Sequence, residues 1–83
     1  MYLVELSKPA AKSFHNLDPR YKNAAKKALL RLQYNPRIGE PLKQELKGLW
    51  KLRFSRYRII YHIKDEILLV LVIAIGHRHE VYR

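Results

Sequence analysis

The sequence predicts an α+β fold: a first strand, a hairpin of two helices, then an antiparallel three-strand meander, forming one sheet packed on the helices. Three observations lead there. Two cap-and-proline starts, Ser7 with Pro9 and Asp18 with Pro19, each open a segment with an apolar stripe. Two prolines and a glycine close that half between residues 34 and 41. The remainder is rich in β-branched and aromatic residues, interrupted by short polar turns.

Residues 2–6 alternate as Tyr, Leu, Val, Glu, Leu and read as the first strand. Ser7 can cap a short helix whose apolar side is Ala10, Ala11, Phe14 and Leu17, with Pro9 in the first turn where a missing N–H costs nothing. Asp18 caps a second helix, opened by Pro19. Its stripe is Tyr21, Ala25, Ala28, Leu29 and Leu32, while Arg20, Lys22, Lys26, Lys27 and Arg31 lie largely off it. Tyr34 to Pro41 reads as a surface loop. Trp50 to Phe54 and Arg56 to Ile63 read as strands joined by a tight turn near Ser55. Lys64-Asp65-Glu66 then turns into a last strand, Ile67 to Ile75, whose unbroken apolar run is that of a strand covered on both faces. Such short links make these three strands antiparallel.

At 83 residues the chain reads as one domain, 1–83, and its 48% apolar content is enough for a core. With no cysteine, it has neither a disulfide nor a thiolate zinc site. It shows no basic leader, and its longest apolar run is far short of the ~20 residues of a membrane helix. The expectation is a soluble cytoplasmic protein with no membrane partner. Seventeen Lys and Arg against seven acids give a net charge of +10, which attracts polyanions. Heat-adapted surfaces balance Lys with Glu, and this chain does not.

The cations are patterned. In Lys51-Leu52-Arg53 a strand sends Trp50, Leu52 and Phe54 into a core and both cations outward, and Arg58 follows on the next strand. The chain ends Gly76-His77-Arg78-His79-Glu80-Val81-Tyr82-Arg83, which adds proton-transfer groups.

The element order, with Trp50-Lys51-Leu52-Arg53, Tyr57-Arg58-Ile59-Ile60-Tyr61 and the Gly76 to Tyr82 ending, resembles the RelE branch of the RelE/ParE toxin superfamily over essentially the whole chain. The resemblance implies the toxin of a type II toxin–antitoxin system. Such a toxin is a ribosome-dependent mRNA endoribonuclease, an mRNA interferase that cuts the message in the ribosomal A site and stops translation. The implied partners are the ribosome, its mRNA and a cognate acidic antitoxin. It also implies that Lys51, Arg53, Arg58, Arg78 and Tyr82 are the catalytic positions. The second basic position, often lysine in the family, is Arg53 here.

Such cleavage needs no metal or other cofactor, because the RNA's own 2′-OH attacks the adjacent phosphorus. It requires a base, positive charge on the phosphorane oxygens, and an acid for the departing 5′ oxygen. Arg58 and Arg78 suit the charge, since guanidinium makes paired hydrogen bonds to phosphate. An arginine such as Arg53 is a poor base at neutral pH, which leaves Lys51, His77, His79 and Tyr82 for proton transfer. Like-charge crowding makes Lys51 the candidate base. Tyr82 can orient the 2′-OH or stack on a base. His77 is an acid–base candidate or a residue that holds the terminal segment against the sheet. His79 is a weaker acid–base candidate. His15 and His62 read as structural or exposed. Lys26, Lys27 and Arg56 are candidate RNA-binding cations, with a solvated surface as the bland alternative. Trp50, Tyr57 and Tyr61 read first as core. A different class of function on the same scaffold is a ParE-like toxin that inhibits DNA gyrase without nuclease activity, and a weaker one is a plain RNA-binding module. The cation cluster separates these, since only RNA cleavage needs it.

Overall fold

A computed structural model describes residues 1–77. In chain order these form β1 (Leu3–Leu6), α1 (Lys8–His15), α2 (Pro19–Tyr34), β2 (Glu40–Pro41), β3 (Leu49–Phe54), β4 (Tyr57–Lys64) and β5 (Leu69–His77). The expected α+β layout forms, with two helices on one sheet of strand order β1-β5-β4-β3-β2. Both helices start where the sequence places them. The Ser7 hydroxyl accepts from the Ala10 N–H at 3.2 Å, and the Asp18 carboxylate from the Arg20 N–H at 2.9 Å.

Three details of the strands depart from the sequence reading. The sheet gains a fifth strand, because Glu40 and Pro41 pair with Lys51 and Trp50 in what reads as a loop. Two residues are too few to show any periodicity. The last strand starts later and runs further than its apolar run: residues 65–67 form a 3₁₀ turn, Leu68 sits at φ 52, and β5 continues to His77. Nor is β5 covered equally on both faces. Val70, Val72 and Ile75 are buried, while Leu71, Ile73 and Ala74 are half-buried. Their uneven spacing has a cause. Ile60 lies opposite Ala74 but Tyr61 opposite Val72, so Ile73 is the extra residue of a β-bulge and the alternation skips there.

The core lies between the layers. Ala10, Leu17, Ala25, Ala28 and Leu32 come from the helical half, and Leu52, Phe54, Ile59, Tyr61, Val70, Val72 and Ile75 from the sheet. Ala11, expected on the apolar side of α1, is exposed. β3–β4 and β4–β5 are antiparallel as expected, and β1 pairs parallel with β5.

One buried hydroxyl holds the segment after α2. Tyr61 is fully buried and donates to the Pro36 carbonyl at 2.6 Å. Gly39 passes so close that a Cβ there would collide with the Lys51 carbonyl oxygen and the Tyr61 hydroxyl. Outside, Asp65 accepts from Arg37 at 2.7 Å and from the Tyr2 hydroxyl at 2.5 Å, tying β1, this segment and the β4–β5 turn together.

Candidate functional site: a cationic sheet face

β3 separates its side chains as the sequence predicts. Leu52 and Phe54 are buried against the helices, so Lys51 and Arg53 project from the opposite, open face of the sheet. In the β3–β4 register Arg53 lies directly opposite Arg58, and Lys51 opposite Ile60. Directly paired residues point to the same face, so Lys51, Arg53 and Arg58 converge there. Like charges directly opposite one another repel, so the Arg53–Arg58 pairing itself is destabilising. The hairpin closes through Ser55 at φ 54.

Three further positions belong to this face. His62 and Lys64 share it with Arg58 at even spacing along β4, a signal present in the sequence. Glu40 sits opposite Lys51 across the β2–β3 pairing, and nothing local in the sequence announces that contact.

His77 goes elsewhere. Counting alternately from Val70 and Val72 would send it to the cationic face. The bulge at Ile73 reverses the parity, so Gly76 pairs with Arg58 and His77 with Tyr57. The His77 ring meets the Tyr57 ring edge-on at 4.6 Å on the helix side. Its ring packs on an aromatic cluster, across the sheet from Lys51.

Lys26 and Lys27 are exposed on α2, in the layer on the other side of the sheet from Lys51 and Arg53. Arg56 lies in the β3–β4 turn with its guanidinium 5.8 Å from the Tyr21 ring centre, leaning toward α2. Arg78, His79 and Tyr82 lie outside the described residues. Trp50, half-buried, stacks on Tyr61 at 6.4 Å and is a packing residue.

Burial pushes the Tyr61 phenol up to about 12, against the pull of the Gly39 N–H and the Arg37 charge. Hydrogen bonds from Arg37, then from Tyr2, hold the Asp65 carboxyl below its ordinary range, as Arg20 does for Asp18. No helix among the described residues is long and apolar enough to cross a membrane.

Comparison with known proteins agrees with this architecture. Residues 4–82 match the family model of the ParE toxin of the parDE type II toxin–antitoxin system. Toxin RelG of Mycobacterium tuberculosis is 36% identical over 99% of this chain and 97% of its own length. The mRNA interferase toxin RelE of Escherichia coli is 33% identical over 98% of this chain and 90% of its own. Among solved structures, the M. tuberculosis toxin–antitoxin complex RelBE2 superposes with TM-score 0.85 at 34% identity, covering 93% of this chain and 98% of that one. The intact E. coli RelBE toxin–antitoxin complex gives 0.79 at 29% identity, covering 93% and 96%. The match over nearly the full length, together with the sheet that places Lys51, Arg53 and Arg58 on one face, makes this chain a RelE-type toxin of the RelE/ParE superfamily, whose members are toxins of type II toxin–antitoxin systems.

Proposed function

We propose that this toxin is an mRNA interferase, cleaving mRNA in the A site of the translating ribosome. The observation that carries the reading is the register: Arg53 directly opposite Arg58, with Lys51 on the same open face. Folding alone gains nothing from that repulsion. A phosphate group placed over the row turns it into binding energy, because each guanidinium can donate two parallel hydrogen bonds to phosphate oxygens.

In the proposed reaction Lys51 takes the proton of the 2′-OH as the 2′ oxygen bonds to phosphorus. Arg53 and Arg58 hold the phosphorane oxygens, joined by Arg78. The bond to the 5′ oxygen breaks, and that oxygen takes up a proton from solvent as it leaves. The products are a 2′,3′-cyclic phosphate and a 5′-hydroxyl end. Tyr82 orients the attacking ribose or stacks on its base. His77, turned to the helix side, is not on this route. The ribosome contributes by holding the message in an attack-ready geometry, and such positioning can lower a barrier by several kcal/mol.

The same face suits inhibition by an antitoxin. Relatives have been solved as complexes with RelB. An acidic segment that folds on binding would complement a chain of net charge +10.

The ParE family match also admits a gyrase-directed toxin without nuclease activity. The clustered cations of β3 and β4 favour RNA. Primer extension on a translated message after induction decides between them. Cuts at codon positions, requiring ribosomes, are the expected outcome. Intact mRNA with gyrase-dependent DNA breaks would replace the reading with the other.

A further inference from the structure

The open face of the sheet continues past the arginines. Along β4, Arg58, Ile60, His62 and Lys64 all point to it. Ile60 is buried, so the line offers solvent a guanidinium, an imidazole ring and an ammonium. His62 is exposed, and its imidazole makes no ring contact or hydrogen bond among the described residues, unlike that of His77. Its register partners are Leu49 on β3 and Leu71 on β5, both half-buried, so apolar side chains flank the ring from either strand. Beyond Leu71 the row ends at the exposed Glu5 of β1. A carboxylate there repels a phosphate, and the leucines offer one no hydrogen bond.

We propose that His62 is a stacking platform for the base of a message nucleotide close along the strand from the phosphate held by Arg53 and Arg58. The inference rests on the RNA-cleaving reading and extends it to how the message is seated, with phosphate and base on the same face of the sheet. Four residues of strand carry the chain from Arg58 to His62, about 13 Å at ~3.3 Å per residue. That span fits a near neighbour on an unstacked strand better than the base of the same nucleotide. Proteins hold single-stranded RNA with cations along its backbone and rings under its bases, and histidine is one of the rings used. The apolar flanks and Glu5 favour a base over a second phosphate at this position. Lys64, two residues further along the same face, is placed for the backbone that leaves it. Stacking accepts any base, and the larger purine ring covers more of the platform.

The test compares cleavage of a translated message by wild type, His62→Ala, His62→Phe and His62→Lys, with melting curves for each. His62→Ala should raise the toxin concentration for half-maximal cleavage about tenfold, the scale of one lost base stack, while the rate at saturation holds. The loss should fall mainly on codons with a purine at one fixed position. His62→Phe should recover most of it, and His62→Lys should not. A folded His62→Ala that matches wild type overturns the proposal. Recovery by Lys as complete as that by Phe also overturns it, since the group would then be a phosphate-binding charge. A second arm needs no cleavage: the ring-proton resonances of His62 in the wild-type toxin, titrated at fixed pH with each nucleoside monophosphate and with ribose 5-phosphate as control. Upfield ring-current shifts with the bases, larger for purines, are expected. Equal shifts with ribose 5-phosphate overturn the proposal. If wild type cuts no message yet these shifts appear, the cleavage reading falls and the base platform stands.

Discussion

At the scale of single residues, the opposed Arg53 and Arg58 allow the proposed activity to be tested apart from stability. Arg53→Ala or Arg58→Ala should each lower cleavage by roughly 10²–10³, the usual loss for one preorganised transition-state contact. Arg53→Ala also relieves the like-charge repulsion, so its stability in urea should hold or rise slightly. A variant that loses activity and stability together would place that arginine in the fold rather than the chemistry. Tyr61 behaves oppositely. Tyr61→Phe leaves the buried Pro36 carbonyl without its donor and should cost about 1–3 kcal/mol. Its titration has a definite sign. Because the folded phenol keeps its proton to about 12 rather than 10, its contribution is complete below 10 and is lost as pH rises from 10 toward 12. Denaturant midpoints of wild type should therefore fall across that window more steeply than those of Tyr61→Phe.

Elements carry two more predictions, both at backbone positions. Ser55 turns the β3–β4 hairpin at φ 54, where a side chain is strained and glycine is not. Ser55→Gly should raise stability by about 0.5–1 kcal/mol, read by chemical denaturation, with cleavage retained. Gly39 needs its missing side chain for a different reason, the close approach of the Lys51 carbonyl and the Tyr61 hydroxyl. Gly39→Ala should cost about 1–3 kcal/mol and also depress cleavage, because the strand it pushes on carries Lys51. If its cleavage matched wild type at a temperature where it is fully folded, the position of the Lys51 backbone would not govern the reaction.

For the whole molecule, charge dominates. Binding to the ribosome should weaken steeply with salt, each single-strand phosphate contact adding about 0.7 to the slope. An acidic antitoxin that also buries apolar surface should show a shallower dependence. Lys51, Arg53 and Arg58 lie on one side of the sheet and Lys26 and Lys27 on the other. Lys26→Ala with Lys27→Ala should therefore leave the slope unchanged unless the helix layer touches ribosomal RNA. Affinity measured from low to moderate salt for both proteins checks this, and a salt-independent wild type would remove the polyanion reading of the net charge.

The sequence by itself determined the helix starts at Ser7 and Asp18, the buried stripe of α2, the β3–β4 hairpin and the outward turn of Lys51 and Arg53. Each depends on hydrogen bonds and sterics within a few residues, or on a period that a short window displays. Only the tertiary structure decided that Glu40 and Pro41 form an edge strand, that β1 lies parallel to β5, and that His77 turns to the helices. Strand partners are chosen by how distant faces bury together, which no local window contains. The bulge at Ile73 makes the point at one residue. A single inserted position reverses every side chain after it, moving His77 from the cationic face to Tyr57.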